Sequence, residues 1–343
     1  MELMSGDKAK KKKSLGIVII VSCIIMVILL NVVYIKQRER LDKARQENLK
    51  YNGKLSMDGF NEFAAIRKDG FLYYVMGIGM DNDIYGRDEI VEWEGKKFIN
   101  ISIGTIGIFG LCEDGNIVGI TGIIEKFRMI EQEVEAWTNI KKVEAGYDMV
   151  LGLKEDGTVV AAGASKRYPS ATEEVLEWKN IIEIQAVEDS IIGLTEEGKV
   201  VLSGLLAEMN NEEIKKYDDI TDMAISVFSM MLVHKTGEVS VIELGQKGKK
   251  VPGWSDIIQV VSSGQAASPF YAGLKADGTV VTYGNFQGDV ARLENIVFID
   301  AGYRIMVALD KNGVVHIVTD PRKSLEEWDK RYQLKIDGYN INQ

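Results

Sequence analysis

Carboxylates are the reactive side chains this sequence offers in quantity: 51 Asp and Glu stand beside 41 Lys and Arg and two histidines in 343 residues. A pair of carboxyl groups about 5–9 Å apart can cleave a glycosidic bond, one as acid and the other as base or nucleophile. Carboxylate-based glycan chemistry at the mouth of a closed fold is therefore one function class to carry forward. Nothing else in the sequence points to catalysis. It contains no nucleophile elbow, no phosphate-cradling glycine loop and no metal-ligand cluster. His234 and His316 stand singly on strand-like runs, which provides no ligand set for zinc. Cys23 lies in an apolar segment and Cys112 stands alone further on, so no disulfide framework exists. The chain is read as a non-enzyme with no catalytic, cofactor-binding or metal-binding residues, and the glycan-active enzyme is the alternative.

Charge is unevenly spread. Residues 1–50 carry 11 basic and 5 acidic side chains, whereas the remaining 293 carry 30 and 46. A body with that acidic surplus lacks the basic surface that phosphate neutralisation requires, and nucleic acid is excluded as a partner.

The uncharged run that opens at Leu15 and closes at Ile35 has 21 residues, 15 of them Leu, Ile or Val. As a helix it spans about 31 Å, which matches a hydrocarbon core of about 30 Å. The expected organisation is a basic cytoplasmic tail over 1–14, a transmembrane helix over 15–35 and a helical stalk over 36–57, followed by the body at 58–343. The cluster Lys8, Lys10, Lys11, Lys12 and Lys13 on a short tail places that tail inside and the body outside the cell membrane. Residues 20–23 also loosely resemble a lipobox, so a lipid anchor at Cys23 is the second option.

The body is one motif repeated. Residues 137–163 read WTNIKKVEAGYDMVLGLKEDGTVVAAG, and residues 178–204 and 254–284 follow the same pattern. A turn marker recurs at Asp69-Gly70, Asp114-Gly115, Asp156-Gly157, Glu197-Gly198, Thr236-Gly237, Asp277-Gly278 and Asn312-Gly313, at intervals of 35 to 45 residues. Such dipeptides predict type I′ hairpins, which need positive φ at both central residues; Glu197 and Thr236 fit that geometry less well. An aromatic opens each repeat at Trp93, Trp137, Trp178, Tyr217, Trp254 and Trp328, with Leu293 filling a degenerate slot. All five tryptophans fall in this one slot, as expected of packing between repeats. The fold class is all-β, a seven-bladed β-propeller with an N-terminal transmembrane helix.

The first turn lacks a preceding Trp and Trp328 lacks a following turn, so closure is expected to join the chain ends. A strand near residues 332–336 pairs with residues 63–66 and 72–75, and the five residues after Gly338 are dispensable.

The pattern W-x-N-I…G-L-K-x-D-G-T-V-V-x-x-G resembles the regulator of chromosome condensation repeat in its short bacterial form. That resemblance implies a seven-bladed propeller over residues 58–343. The family often places a histidine three residues after a strand-ending glycine; here those slots hold Met149 and Ile305. No inserted hairpin like the wedge that the family's nucleotide-exchange factor uses on its GTPase is present, so exchange activity does not follow. The expected role is a binding module for an extracytoplasmic protein or surface polymer. Its candidate contact residues lie in the segments joining repeats: Tyr85, Arg87, Arg167, Tyr168, Asn285, Phe286 and Gln287. Aromatic and Arg side chains are the usual interface anchors.

Overall fold

In the computed structural model the described residues are 3–57, 63–75, 93, 95–121, 125–263, 269–302, 305–320 and 339–342, with the side chains of the first helix described from Ser22 onward. The chain divides into two compact units, Met1–Lys43 and Ala44–Gln343.

Helix α1 is continuous over Leu3–Leu49. Among the described residues no helix is long and apolar enough to cross a membrane. On that finding the expected location at a cell membrane, with the body outside, is withdrawn. The side chains of residues 15–21, part of the expected span, lie outside those described.

The second unit is built from seven small antiparallel sheets among the described residues. A full sheet has an inner, a middle and an outer strand, as in Ile140–Ala145, Met149–Lys154 and Val159–Gly163. The first sheet already begins at Leu55–Met57, inside the segment expected to be stalk. Among the described residues three short α-helices lie in the joining segments: α2 Glu125–Glu135, α3 Ala171–Glu174 and α4 Leu205–Ile214. These segments were expected to be irregular loops. The helices instead cover sheet edges: Glu131 and Glu135 of α2 accept the outward N–H groups of Thr121 and Gly119.

The glycine turns join middle to outer strands, but not as type I′ hairpins. Lys154 N donates to Thr158 O and Gly157 N to Lys154 O, closing a three-residue loop in which Gly157 takes φ +79°. This is a type I turn followed by a left-handed glycine. Only the glycine needs positive φ, which is why Glu197 and Thr236 serve as well as Asp.

Sheets bury their faces against their neighbours. Met149, Leu151 and Leu153 of the third sheet share a core with Ile181, Ile184 and Ile191 of the fourth, and Trp178 packs against it. Glycines in the middle strands make room for the indoles: a Cβ on Gly193 would stand 2.7 Å from the Trp178 ring. The first and last sheets share a core in the same way, where Leu55, Met57 and Phe63 meet Phe298, Val307 and Leu309.

Among the described residues the C-terminal contribution to closure comes from Tyr339–Asn340 and Ile341. Residues 332–336 and Trp328 lie outside the described residues. Tyr339–Asn340 pairs with the outer strand of the seventh sheet, and Ile341 bridges to the first. Its N–H donates to Gly313 O at 2.8 Å, and its carbonyl accepts from Lys68 N at 2.7 Å. Elsewhere the strand-opening Asn-Ile does this work, as in Ile181 N to Gly157 O and Glu196 N to Asn180 O. Asn340-Ile341 thus supplies a further copy of the Asn-Ile signature, and the residues after Gly338, expected to be dispensable, carry bonds to both the first and the last sheet.

Candidate functional site

Inner strands open with an apolar residue, such as Ile140, Ile181, Ile220, Ile257 or Ile296. Side chains alternate along a strand, so the second and fourth residues after that opening share a face. The second positions hold Lys142, Glu183, Asp222 and Gln259; the fourth hold Ser102, Glu144, Gln185 and Asp300. These residues line a central cavity of about 510 Å³.

Most of these polar groups bind the backbone of the next sheet. Asn100 Oδ1 accepts from Val143 N at 2.8 Å, Ser102 Oγ from Ala145 N at 2.9 Å and Asp222 Oδ2 from Val260 N at 2.6 Å. Gln259 Oε1 accepts from Ile299 N at 3.0 Å, and Asp300 Oδ2 from Met57 N at 2.9 Å. The cavity wall is held by its own polar residues, each satisfying a backbone group that would otherwise be buried without a partner.

Among the described residues one cation stands with these carboxylates. Lys142 Nζ pairs with Glu183, lies 3.7 Å from Glu144 and donates to Ile184 O. Burial alone would pull its ammonium down, but Glu183 and Glu144 hold it above its usual range. Burial pushes Glu144 up to about 7, only partly offset by Lys142. It likewise pushes Asp222 up to about 8 and Asp300 up to about 7, against the backbone N–H groups that favour their charged forms. At neutral pH Glu144 and Asp300 stand near half-protonation and Asp222 is mostly protonated, in the range of a general acid. Yet each already accepts a backbone N–H: Asp222 from Val260, Asp300 from Met57 and Ala301, and Glu144 from Ala186. Among the described residues no group of three or more His, Cys, Asp and Glu is placed to hold a metal ion.

Residues 45–52 close one end of this cavity. Arg45 donates to His234 O and Lys235 O in the turn of the fifth sheet. Asn48 Nδ2 donates to Gln259 Oε1 at 2.9 Å and Val297 O at 2.8 Å, and Asn52 Nδ2 to Glu183 Oε2 at 2.7 Å. At the opposite end lie the loops between inner and middle strands, where Tyr147 and Phe228 are 43% and 46% exposed.

The residues singled out in the sequence are dispersed. Tyr85, Arg87 and Trp328 lie outside the described residues. Arg167 is exposed, with its guanidinium 3.6 Å from Asp189 Oδ2, and Tyr168 donates to Glu208 Oε2 at 2.7 Å. Asn285 and Gln287 are exposed, but Phe286 between them is buried and stacks on Phe270 with ring centroids 4.2 Å apart. Core packing removes Phe286 from the candidate anchors. Trp93 and Trp254 are buried, and Trp137, Trp178 and Tyr217 are partly buried against the cores between sheets. Neither the cavity carboxylates nor Tyr147 and Phe228 were singled out. The signal available was that polar or charged residues recur two and four places after the strand-opening residue, which marks a shared face but not its burial.

One further constellation involves His234. Its Nδ1 lies 2.7 Å from Asp219 Oδ1 and its Nε2 2.8 Å from Ser240 Oγ, the connectivity of a nucleophile–base–acid relay. Ser240 is buried and its strand is paired with Lys249–Lys250. Among the described residues Ser240 lines neither the central cavity nor the groove between the fifth and sixth sheets. Here the triad-like set braces a strand.

No family model matches the chain, and no curated protein matches it. Solved structures do. Prp20p from Saccharomyces cerevisiae, described with its binding to Gsp1p and histones, aligns with a TM-score of 0.54 at 13% identity, covering 82% of this chain and 85% of that one. The ectodomain of the Physcomitrella patens receptor kinase CR4 aligns at 0.52 and 12% identity, covering 78% and 73%. The CRINKLY WD40 ectodomain of the Arabidopsis thaliana receptor kinase ACR4 aligns at 0.50 and 14%, covering 79% and 95%. The fold is that of a regulator-of-chromosome-condensation-like β-propeller.

Proposed function

We propose that residues from Ala44 onward form a closed seven-bladed propeller that works as a protein-binding module, its partner docking on the end opposite residues 45–52. The observation that carries this reading is the contrast between the two ends. Arg45, Asn48 and Asn52 occupy one in a set of hydrogen bonds, while the other presents the exposed rings of Tyr147 and Phe228. Exposed aromatics on loops held by a rigid scaffold are the usual anchors of protein interfaces. Arg167, Asn285 and Gln287 are rim contacts in this reading. The solved Prp20p structures, described with Gsp1p, histones and Kap60, support a protein partner for this type of fold. The cavity carboxylates support a structural role over glycan chemistry, because Asp222 and Asp300 are engaged by backbone amides.

The test is affinity capture with the full-length chain as bait, run beside a Tyr147→Ala/Phe228→Ala variant of unchanged melting temperature. Proteins captured by the wild type and lost from the variant support the reading. Identical capture by both chains overturns it.

A further inference from the structure

We propose that the outer edge of the sixth sheet is a docking edge for an extended, basic peptide segment of a partner protein, which adds to it as a fourth strand. The proposal deepens the protein-binding reading and rests on it.

Among the described residues several outer strands are covered by other parts of the same chain. The fifth and seventh sheets each take a fourth strand, Lys249–Lys250 and Tyr339–Asn340. In the second sheet, glutamates of α2 take the outward amides. The sixth sheet differs. After its outer strand Val280–Gly284 the chain leaves the edge: Phe286 is drawn under Phe270, and Arg292 donates to Ile317 O of the seventh sheet at 2.6 Å. Tyr283 and Gly284 are consequently exposed.

The direction of the free amides follows from the ladder. Lys275 N donates to Thr279 O, and the register continues through Gly273 opposite Val281 and Tyr271 opposite Tyr283. Bonding alternates along an antiparallel pair, so Val280, Thr282 and Gly284 present their N–H and C=O groups outward. The equivalent outward amides of the second sheet are those of Gly119 and Thr121, which do find acceptors outside their sheet. Among the described residues no hydrogen bond reaches the outward groups of Thr282 or Gly284. A row of such groups is a template for strand addition.

The chemistry of the occupant is set by the adjoining groove of about 440 Å³ between the fifth and sixth sheets. Phe228, Leu244, Tyr271 and Tyr283 line it, and among the described residues its one charged lining group is the Glu243 carboxylate. An added strand sends alternate side chains to one face, so an apolar or aromatic residue two places from a Lys or Arg fits. The chain's own fourth strand on the fifth sheet is already of this character: Lys250 pairs there with Glu238.

The test uses a phage-displayed library of random dodecamer peptides selected on the full-length chain, with Thr282→Pro as counter-target. Proline deletes the outward donor while leaving the ladder to the middle strand intact, since edge strands tolerate it. The expected result is recovery of peptides with alternating apolar and basic residues that bind Thr282→Pro about tenfold more weakly, the loss of roughly one hydrogen bond with its desolvated partner. Should the variant melt early, hydrogen exchange on the wild type decides: the peptides must slow exchange at Thr282 and Gly284. Peptides that bind both chains equally, or leave those two amides unprotected, overturn the proposal, as does recovery of none. If capture through Tyr147 and Phe228 persists while the edge fails these tests, the binding-module reading stands and the edge proposal alone falls.

Discussion

Asp300 Oδ2 accepts the backbone N–H of Met57 at 2.9 Å, joining the last inner strand to the first across 243 residues of sequence. It is the bond that Ser102 makes to Ala145 and Ser56 to Ile103 between sequence neighbours, transferred to the seam. The seam therefore carries a buried carboxylate where two interior joints carry a hydroxyl. Burial raises that carboxyl to about 7, which couples closure to proton uptake.

The sign of that coupling is definite. Glu144, Asp222 and Asp300 titrate in the folded chain at about 7, 8 and 7, and near 4 when unfolded. The folded state binds the protons more tightly, so their contribution to stability is full below about pH 4 and lost as pH rises to about 8. Asp310, held low by the N–H groups of Val314 and Asn312 and by His316, acts in the opposite sense and penalises strongly acid solution. The melting temperature is expected to peak near pH 5 and to fall steadily up to pH 8. Asp300→Asn keeps an acceptor for Met57 but cannot ionise, so its melting curve should fall less over that range. A variant profile parallel to the wild type would contradict the assignment.

Among the described residues Lys142 is the one cation lining the cavity. Lys142→Met strands Glu183 and Glu144, and breaking a buried pair from one side costs about 3–5 kcal/mol. The double variant Lys142→Met/Glu183→Leu removes both charges and should recover most of that loss. Urea denaturation of the three chains at pH 7 reads the comparison, and a double variant as unstable as the single one refutes it.

The repeat was legible because its turns and aromatic slots are local demands on residue type. Only glycine comfortably adopts the left-handed turn position at φ +79° to +87° in Gly70, Gly157 and Gly198. Asn139, Asn180, Asp256 and Asn295, just ahead of the strand-opening isoleucines, also take φ near +57°. That accounts for the Asn or Asp of the motif, a signal noticed as pattern but not as conformation. The cavity was not legible, because Glu183 or Asp222 in isolation looks like a solvent-facing residue of an amphipathic strand. Only the convergence of inner strands distant in sequence buries them. Closure was anticipated between the chain ends from the aromatic slot at Trp328, which lies outside the described residues, whereas Asn340-Ile341 is a two-residue signal too short to stand out.

Ser240 should be unreactive despite its bond to His234. A nucleophilic serine needs an accessible face and a donor for the developing oxyanion, whereas Ser240 lies buried in a strand paired with Lys249–Lys250. Fluorophosphonate treatment followed by mass spectrometry should leave it unmodified. Ser240→Ala should cost about 1–3 kcal/mol, the effect of leaving His234 Nε2 without its partner. Covalent labelling at Ser240 would reopen an enzymatic role.

The last residues of the chain provide the most direct test of closure. Ile341 is 8% exposed, shares the core of the first and last sheets, and bonds through its backbone to Gly313 and Lys68. Ile341→Ala removes the side chain from that core at about 2–5 kcal/mol, and truncation after Gly338 also deletes both backbone bonds, at about 1 kcal/mol each. Against a total margin of about 5–15 kcal/mol, the truncated chain should lose most of its stability. The point variant should melt lower yet still fold. Removing Gln343 alone leaves Ile341 in place and should change little. Thermal melting of these three chains beside the wild type discriminates clearly. If truncation after Gly338 melts with the wild type, Ile341 does not close the ring, and the seam must be held by Asp300, Met57 and the apolar core alone.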